Sequence, residues 1–271
     1  MYESHWQLDR RPFENGLEPG FYYPGETHQG ALLKLRYVLE NQRGAAVLAG
    51  PSGCGKTLLV QMLKQQLPAR FSPFVHLVFP QMTTGELLAY IAGELGTTIA
   101  PPYSVDESVR QIQQALVQLA AQGRHAVIAV DEAHLLDDTH TLEALRLLLN
   151  FETGTQPGLT LLLIGQPALL PILDRMPGLE ERMGVKCLLR PLTLEETISY
   201  VTHRLQAAGA KRTIFEPDAL ETLYHLTGGL PRRINRLCDL ALLIGYAEER
   251  QMIPASQLEA VHEELVSVAP E

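Results

Sequence analysis

Short runs of consecutive apolar residues alternate along the chain with longer segments in which apolar residues recur every three or four positions. Ala45–Ala49, Ala126–Val130 and Leu159–Ile164 are continuous runs, the signature of strands buried on both faces. Val185–Leu189 is a weaker run, and Phe74–Phe79 reads as a further strand. Between them the spacing predicts helices. One covers residues 27–42, capped by Thr27, with Leu32, Leu35, Val38 and Leu39 on one face. A second starts at Lys56 and carries Leu58, Leu59, Met62, Leu63 and Leu67; others cover 84–95, 106–121 and 139–151. Apolar runs separated by helices predict a parallel sheet covered on both sides.

The pattern changes after Pro191. Every later periodic segment is helical, over 193–208, 216–227, 231–248 and 255–266, with Gly228, Gly229 and Pro231 punctuating one turn. The expected organisation is therefore an α/β domain over residues 1–192 and an all-helical domain over 193–271. The α/β domain includes an N-terminal arm, residues 1–25, rich in proline, glycine and aromatics (Trp6, Phe13, Phe21, Tyr22, Tyr23).

Charge and cysteine usage narrow the classes. The 271 residues carry 22 Lys and Arg against 31 Asp and Glu, a net charge of −9. That balance disfavours a surface given over to nucleic acid, whose phosphates are bound mainly by Lys and Arg, and leaves room for local basic patches. Cys54, Cys187 and Cys238 are unpaired by spacing, so a reducing, cytoplasmic compartment is expected, with each thiol a small buried hydrophobe. The first residues lack the apolar stretch of a signal peptide, and no run approaches the ~20 residues that span a bilayer. Direct membrane insertion is not expected.

Gly50, Pro51, Ser52, Gly53, Cys54, Gly55, Lys56 and Thr57 fit G-x-x-x-x-G-K-[ST] between a predicted strand and a predicted helix. Glycines let the backbone curl until successive N–H groups face phosphate oxygens, and the helix N-terminus adds its dipole. Lys56 would reach the β- and γ-phosphates, the Thr57 hydroxyl would ligate Mg²⁺, and Leu58 follows in the same nucleotide-binding stretch. The run Ala126–Val130 ends in Asp131 and Glu132, at the sheet edge where phosphoryl chemistry occurs. Asp131 would hold Mg²⁺ through water, and Glu132 would polarise the attacking water. His134 completes a D-E-A-H box, but a helicase of that class needs a second core domain that 271 residues do not hold. It reads as a supporting or surface residue.

Three further positions stay open on spacing alone. Gln166, after the third apolar run, could touch the γ-phosphate or the attacking water, or could be a turn residue. Arg232, Arg233 and Arg236 follow Pro231, where cations at a helix N-terminus are unfavourable unless an anion answers them; the γ-phosphate and a DNA backbone are both candidates. Arg182 reads equally as a surface arginine or as a finger reaching a neighbouring subunit's nucleotide.

Taken together, these segments resemble the AAA+ ATPases, and within them the general secretion pathway protein A (ExeA/GspA) family, with related pilus-biogenesis ATPases. The matches are Met1 and Tyr2, Pro12 and Phe13, Phe21–Tyr23 with His28 and Ala31–Leu32, the P-loop, Asp131–His134, Leu163–Pro167, and Gly229 through Asp239. The resemblance implies a three-layer P-loop core with a parallel sheet, a small helical lid, and Mg²⁺-ATP as ligand. It implies Gln166 at the sensor 1 position and Arg232 at sensor 2. It favours Arg182 as the finger, with Arg175 and Arg190 as alternatives, and sets the arm, above all Phe21 to Tyr23, near the adenine. The implied activity is ATP hydrolysis by a homo-oligomeric ring or filament serving type II secretion or pilus assembly. That work would run through a membrane-bound protein partner at the inner face of the membrane. The transmembrane and peptidoglycan-binding regions typical of the secretion members are missing from these 271 residues. The same core also resembles transposition ATPases of the TniB/TnsC type, which assemble on DNA. A nucleotide switch with little turnover is the remaining alternative, and Glu132 argues against it.

Overall fold

The apolar runs form the strands expected of them. A computed structural model describes every residue except 17, 98–103, 137–138, 155 and 268–271. In chain order the first elements are α1 (Glu3–Trp6), α2 (Glu26–Glu40), β1 (Ala45–Ala49), α3 (Lys56–Gln66), β2 (Phe74–Leu77), α4 (Thr84–Glu94) and α5 (Val105–Ala121). Next come β3 (Ala126–Val130), α6 (Thr139–Leu148), β4 (Glu152–Thr153), β5 (Gln156–Pro157), β6 (Leu159–Gly165), α7 (Leu169–Leu173), α8 (Pro177–Glu180) and β7 (Met183–Leu188). The chain closes with α9 (Leu194–Ala207), α10 (Pro217–Thr227), α11 (Pro231–Ala247) and α12 (Ala255–Ser267). β2 stops at Leu77, short of Phe79, because Val78 and Phe79 turn out to solvent and are more than half exposed.

Contacts divide the chain into two units. One comprises Thr27–Ser52 and Leu59–Leu189. Its five-stranded sheet has the order β2-β3-β6-β1-β7, with every pair parallel. The central strands β1, β3 and β6 are buried at every position, whereas the edge strands β2 and β7 show half-buried or exposed residues. Val47, Ile128, Val130, Leu161 and Leu163 pack with Leu88 and Ile91 of α4, Ile112 and Leu116 of α5, and Leu142 and Leu145 of α6. The alternate residues Ala46, Leu48, Val127, Leu162 and Ile164 are equally buried, so both faces of the sheet are covered, as near-continuous apolar strands require. Thr83 and Glu86 close a capping box on α4, satisfying backbone donors at both ends of the box.

The other unit comprises Met1–Glu26, Gly53–Leu58 and Arg190–Glu271. The N-terminal arm thus packs with the C-terminal helices, a grouping that a single linear boundary at residue 192 does not express. Trp6 is fully buried and its indole N–H donates to the Leu242 carbonyl at 2.9 Å. Arg204 on α9, itself buried, reaches back to the arm. Its Nε donates to the Pro12 carbonyl and Nη2 to the Glu14 carbonyl, each at 2.6 Å, with the guanidinium over the Phe21 ring. Tyr2, Phe13 and Phe21 join Val201, Leu237 and Leu242 in one apolar cluster.

Two predictions follow from packing alone. Burial, reinforced by the Arg70 charge, lowers the His125 imidazole to about 4, while its Nε2 lies 2.8 Å from the Thr160 hydroxyl. An unfolded histidine titrates near 6.5. Between those values the unfolded chain binds a proton that the folded chain refuses, so stability is full above pH 6.5 and falls as pH drops toward 4, by on the order of 3 kcal/mol. Urea midpoints at pH 7 and pH 5 measure the loss, and His125→Gln should flatten it. Arg204→Ala removes two charge-assisted hydrogen bonds and a cation–π contact, and should cost about 2–4 kcal/mol, read as a shift of the denaturation midpoint.

Candidate functional site

The carboxyl ends of adjacent parallel strands gather the candidate residues of the sheet unit. The Gly50 N–H, just past β1, donates to the Gly165 carbonyl at the end of β6, 3.1 Å away. β3 delivers Asp131, whose N–H donates to the Leu77 carbonyl of β2 at 2.8 Å. The Asp131 side chain is almost fully buried, and its Oδ1 accepts the Glu132 N–H at 2.9 Å. Its Oδ2 lies 3.5 Å from Nε2 of His76. Nδ1 of His76 is in turn 3.2 Å from the Gln61 side-chain nitrogen on α3.

Glu132 follows in the left-handed region, φ +50°, a conformation that costs a non-glycine residue about 1–2 kcal/mol. Its side chain is 43% exposed, and Oε2 lies 3.4 Å from Nδ1 of His134. That same Nδ1 accepts the Gln166 N–H at 3.4 Å. A Cβ at Gly165 would stand 3.1 Å from the His134 backbone nitrogen and 3.3 Å from its Nδ1, so the glycine admits the imidazole. Asp131, Glu132 and Gln166, all named from the sequence, are brought together here. His76 was missed, because a histidine in a half-buried edge strand has no spacing signature.

In the second unit, Gly53 and Gly55 take φ +78° and +94°, and Lys56 is buried at the start of α3. Cys54 is fully buried, and burial pushes its thiol above the usual range, so it is not a reactive nucleophile. The Arg232 N–H donates to the Gly53 carbonyl at 3.2 Å, and a Cβ on Gly53 would come within 2.8 Å of the Arg232 Cβ. α11 starts with Pro231 at its first turn and no side-chain cap. Arg232, Arg233 and Arg236 are exposed, and their guanidinium groups make no hydrogen bond or ion pair among the described residues. Three cations near one helix N-terminus have no carboxylate partner among the described residues, an arrangement that an anion placed there would relieve. Tyr23 is half-buried against the edge of Tyr200, ring centroids 5.7 Å apart, and beside His203 at 5.8 Å. Tyr200 donates its hydroxyl proton to Asn235 Oδ1 at 2.7 Å.

The three arginines weighed as fingers differ in their engagement. Arg182 donates to the Leu149 carbonyl at 3.4 Å and to Asn150 Oδ1 at 2.5 Å, just past the end of α6. Arg190 pairs with Glu196 at 2.5 Å and with Glu26 at 2.8 Å. Arg175 is exposed and makes no side-chain hydrogen bond or ion pair among the described residues. As for metal, the Thr57 hydroxyl in one unit and the Asp131 carboxylate in the other are each a hard oxygen donor of the kind Mg²⁺ takes.

Comparison with known proteins agrees with the fold. The AAA domain family matches residues 39–173. General secretion pathway protein A of Aeromonas hydrophila is 38% identical over 254 residues, covering 91% of this chain and 45% of that protein. The chain therefore spans less than half the length of this relative. The Aeropyrum pernix ORC2 protein, in its ADPNP–ADP complexes, superposes with a TM-score of 0.74 at 17% identity, over 97% of this chain and 73% of that one. Drosophila ORC bound to DNA gives 0.72 at 18% identity over 97% and 66%. The K64R mutant of Thermotoga maritima RuvB gives 0.55 at 20% identity over 88% and 69%. At these identities the structural likeness establishes the fold alone, a parallel five-stranded sheet with helices on both faces followed by a helical C-terminal region, and the AAA domain is given by the family match.

The close Gly53–Arg232 approach generates a test. Gly53→Ala forces a methyl against Arg232 at a left-handed residue, and should weaken ATP-analogue binding at least tenfold, about 1.4 kcal/mol. Gly30→Ala, where nothing lies within 4 Å of the added carbon, should leave it unchanged in the same fluorescence titration.

Proposed function

We propose that this chain, which carries an AAA domain over residues 39–173 and is 38% identical to general secretion pathway protein A over 254 residues, hydrolyses ATP to drive assembly or remodelling in type II secretion or pilus biogenesis. The observation that carries hydrolysis, beyond nucleotide binding, is the acid pair at the end of β3. Asp131 is buried and held by backbone and histidine, while Glu132 next to it is half exposed and able to meet water.

In this reading the N–H groups from Gly50 to Leu58 cradle the phosphates, and Lys56 neutralises charge on the β- and γ-phosphates. Glu132 polarises the attacking water for in-line displacement of the γ-phosphate, and Gln166 contacts that phosphate or the water. The Thr57 hydroxyl and the Asp131 carboxylate would hold Mg²⁺, which would supply positive charge to the phosphate oxygens. Arg232 answers the γ-phosphate and links α11 to the nucleotide, and Tyr23 contacts the base. Arg182 acts in trans on a neighbouring copy's nucleotide, exchanging Leu149 and Asn150 for phosphate. Such a finger contributes roughly 10³–10⁵ in rate where it operates, so the active form is a homo-oligomer.

Among the described residues no helix is long and apolar enough to cross a membrane. A cytoplasmic ATPase working at the membrane through a protein partner fits that observation and the secretion relative. A second reading, a DNA-associated ATPase of the transposition type, is favoured by the three arginines of α11 whose guanidinium groups have no partner among the described residues. The net charge of −9 weighs against it.

Lys56→Ala should abolish nucleotide binding. Glu132→Gln should retain binding and lose turnover by at least about 10²-fold, the range a general base supplies. Steady-state turnover measured against protein concentration, with and without duplex DNA, separates the two readings. Cooperative rise without DNA stimulation is expected; salt-sensitive stimulation by DNA would favour the second.

A further inference from the structure

His134 stands between two groups of the candidate site, and one ring atom faces both. Nδ1 is 3.4 Å from Glu132 Oε2 and 3.4 Å from the Gln166 backbone nitrogen. An imidazole nitrogen carries either a lone pair or a proton. With a lone pair, Nδ1 accepts the Gln166 N–H and presents a negative edge to the Glu132 carboxylate. With a proton, it donates to the carboxylate and must give up the Gln166 N–H. The two contacts are mutually exclusive, and a change of tautomer alone is enough to exchange them.

The surroundings fix the ring for that task. His134 is 11% exposed, on the 3₁₀ turn Ala133–Leu135 that directly follows Glu132. Gly165 lets the ring approach the end of β6, where a methyl group would crowd both its backbone nitrogen and Nδ1. Glu132 is set at a left-handed residue, so its side-chain direction depends on this turn. The segment bearing Gln166 and the carboxylate of Glu132 thus compete for one atom.

The geometry points to His134 as a positioning residue that couples the Gln166 segment to the orientation of the Glu132 carboxylate, holding the acid when the segment moves away and releasing it when the segment closes. This rests on the proposed role of Glu132 in polarising water. His134 itself needs no contact with nucleotide, so its loss should move turnover and leave affinity alone.

Asparagine and glutamine separate this role from a structural one. The Asn side-chain amide overlays the Nδ1 position of histidine, whereas the Gln amide overlays Nε2. His134→Ala should lower kcat about ten- to a hundredfold, with less than a twofold change in the Kd of a fluorescent ATP analogue. His134→Asn should recover most of the lost kcat, and His134→Gln should not. If His134→Ala folds poorly, the Asn and Gln variants carry the test between them, with thermal melts confirming that both are folded. Equal kcat for the two, rescue by Gln alone, or a parallel loss of affinity would overturn the proposal. Glu132→Gln is measured alongside: if it keeps wild-type turnover, the role of Glu132 in hydrolysis fails first. If it loses turnover while the His134 series behaves as a purely structural site, only the coupling fails.

Discussion

The N–H of Gly50 bonded to the carbonyl of Gly165 is the last rung of the β1–β6 ladder, and the placement of every acid and amide near it depends on that ladder's register. Ala49 is level with Gly165, and on the other side of β6 Val130 is level with Leu163. β3 ends at that pair, so Asp131 and Glu132 follow directly past it. A slip of one residue would turn Asp131 to the opposite face of the sheet. What prevents the slip is the burial of both faces: Val47, Leu48, Ile128, Leu162 and Leu163 each have an apolar slot that a shifted neighbour would not fill.

Elements fixed by that burial are the ones legible in the sequence. β1 and β3 are continuous apolar runs, and β6 one interrupted by Thr160 alone, because no face of them meets water, and the long helices carry their period openly. The P-loop is legible because its conformation needs glycine at Gly53 and Gly55, where φ is positive. The short helices α1, α7 and α8 have one turn or little more, too few residues for periodicity to register. The grouping of residues 1–26 with 190–271 was hidden for a different reason: it is made by contacts such as Trp6 to Leu242, between positions with no local relation. Lys56, Thr57, Asp131 and Glu132 could be singled out as candidates by residue type and motif spacing. Residues that act by where the fold sets them could not. His76 reaches Asp131 only because β2 pairs beside β3.

The arginines illustrate the same division. By composition they are alike, yet Arg204 is buried as an internal strut, Arg190 is taken up by two carboxylates, and Arg182 is bound just past α6. Arg232, Arg233 and Arg236 alone among these leave their charge outward at one helix start. Arg232 further separates backbone from side chain. Its N–H meets the Gly53 carbonyl whatever residue occupies the position, proline excepted, so the guanidinium is free of structural duty there.

The discontinuous make-up of the second unit also has a consequence in time. The Trp6 indole bonds a carbonyl 236 positions later in the chain. At ribosomal speeds of 5–20 residues per second, roughly 10–50 s separate the emergence of the two. During that interval the intervening sheet unit can fold, since its strands are all made before residue 190. The aromatic arm cannot, because the helices that cover Trp6, Phe13 and Phe21 do not yet exist. Until those helices are made, the arm presents a cluster of apolar side chains in want of a cover, the kind of segment that holding chaperones bind.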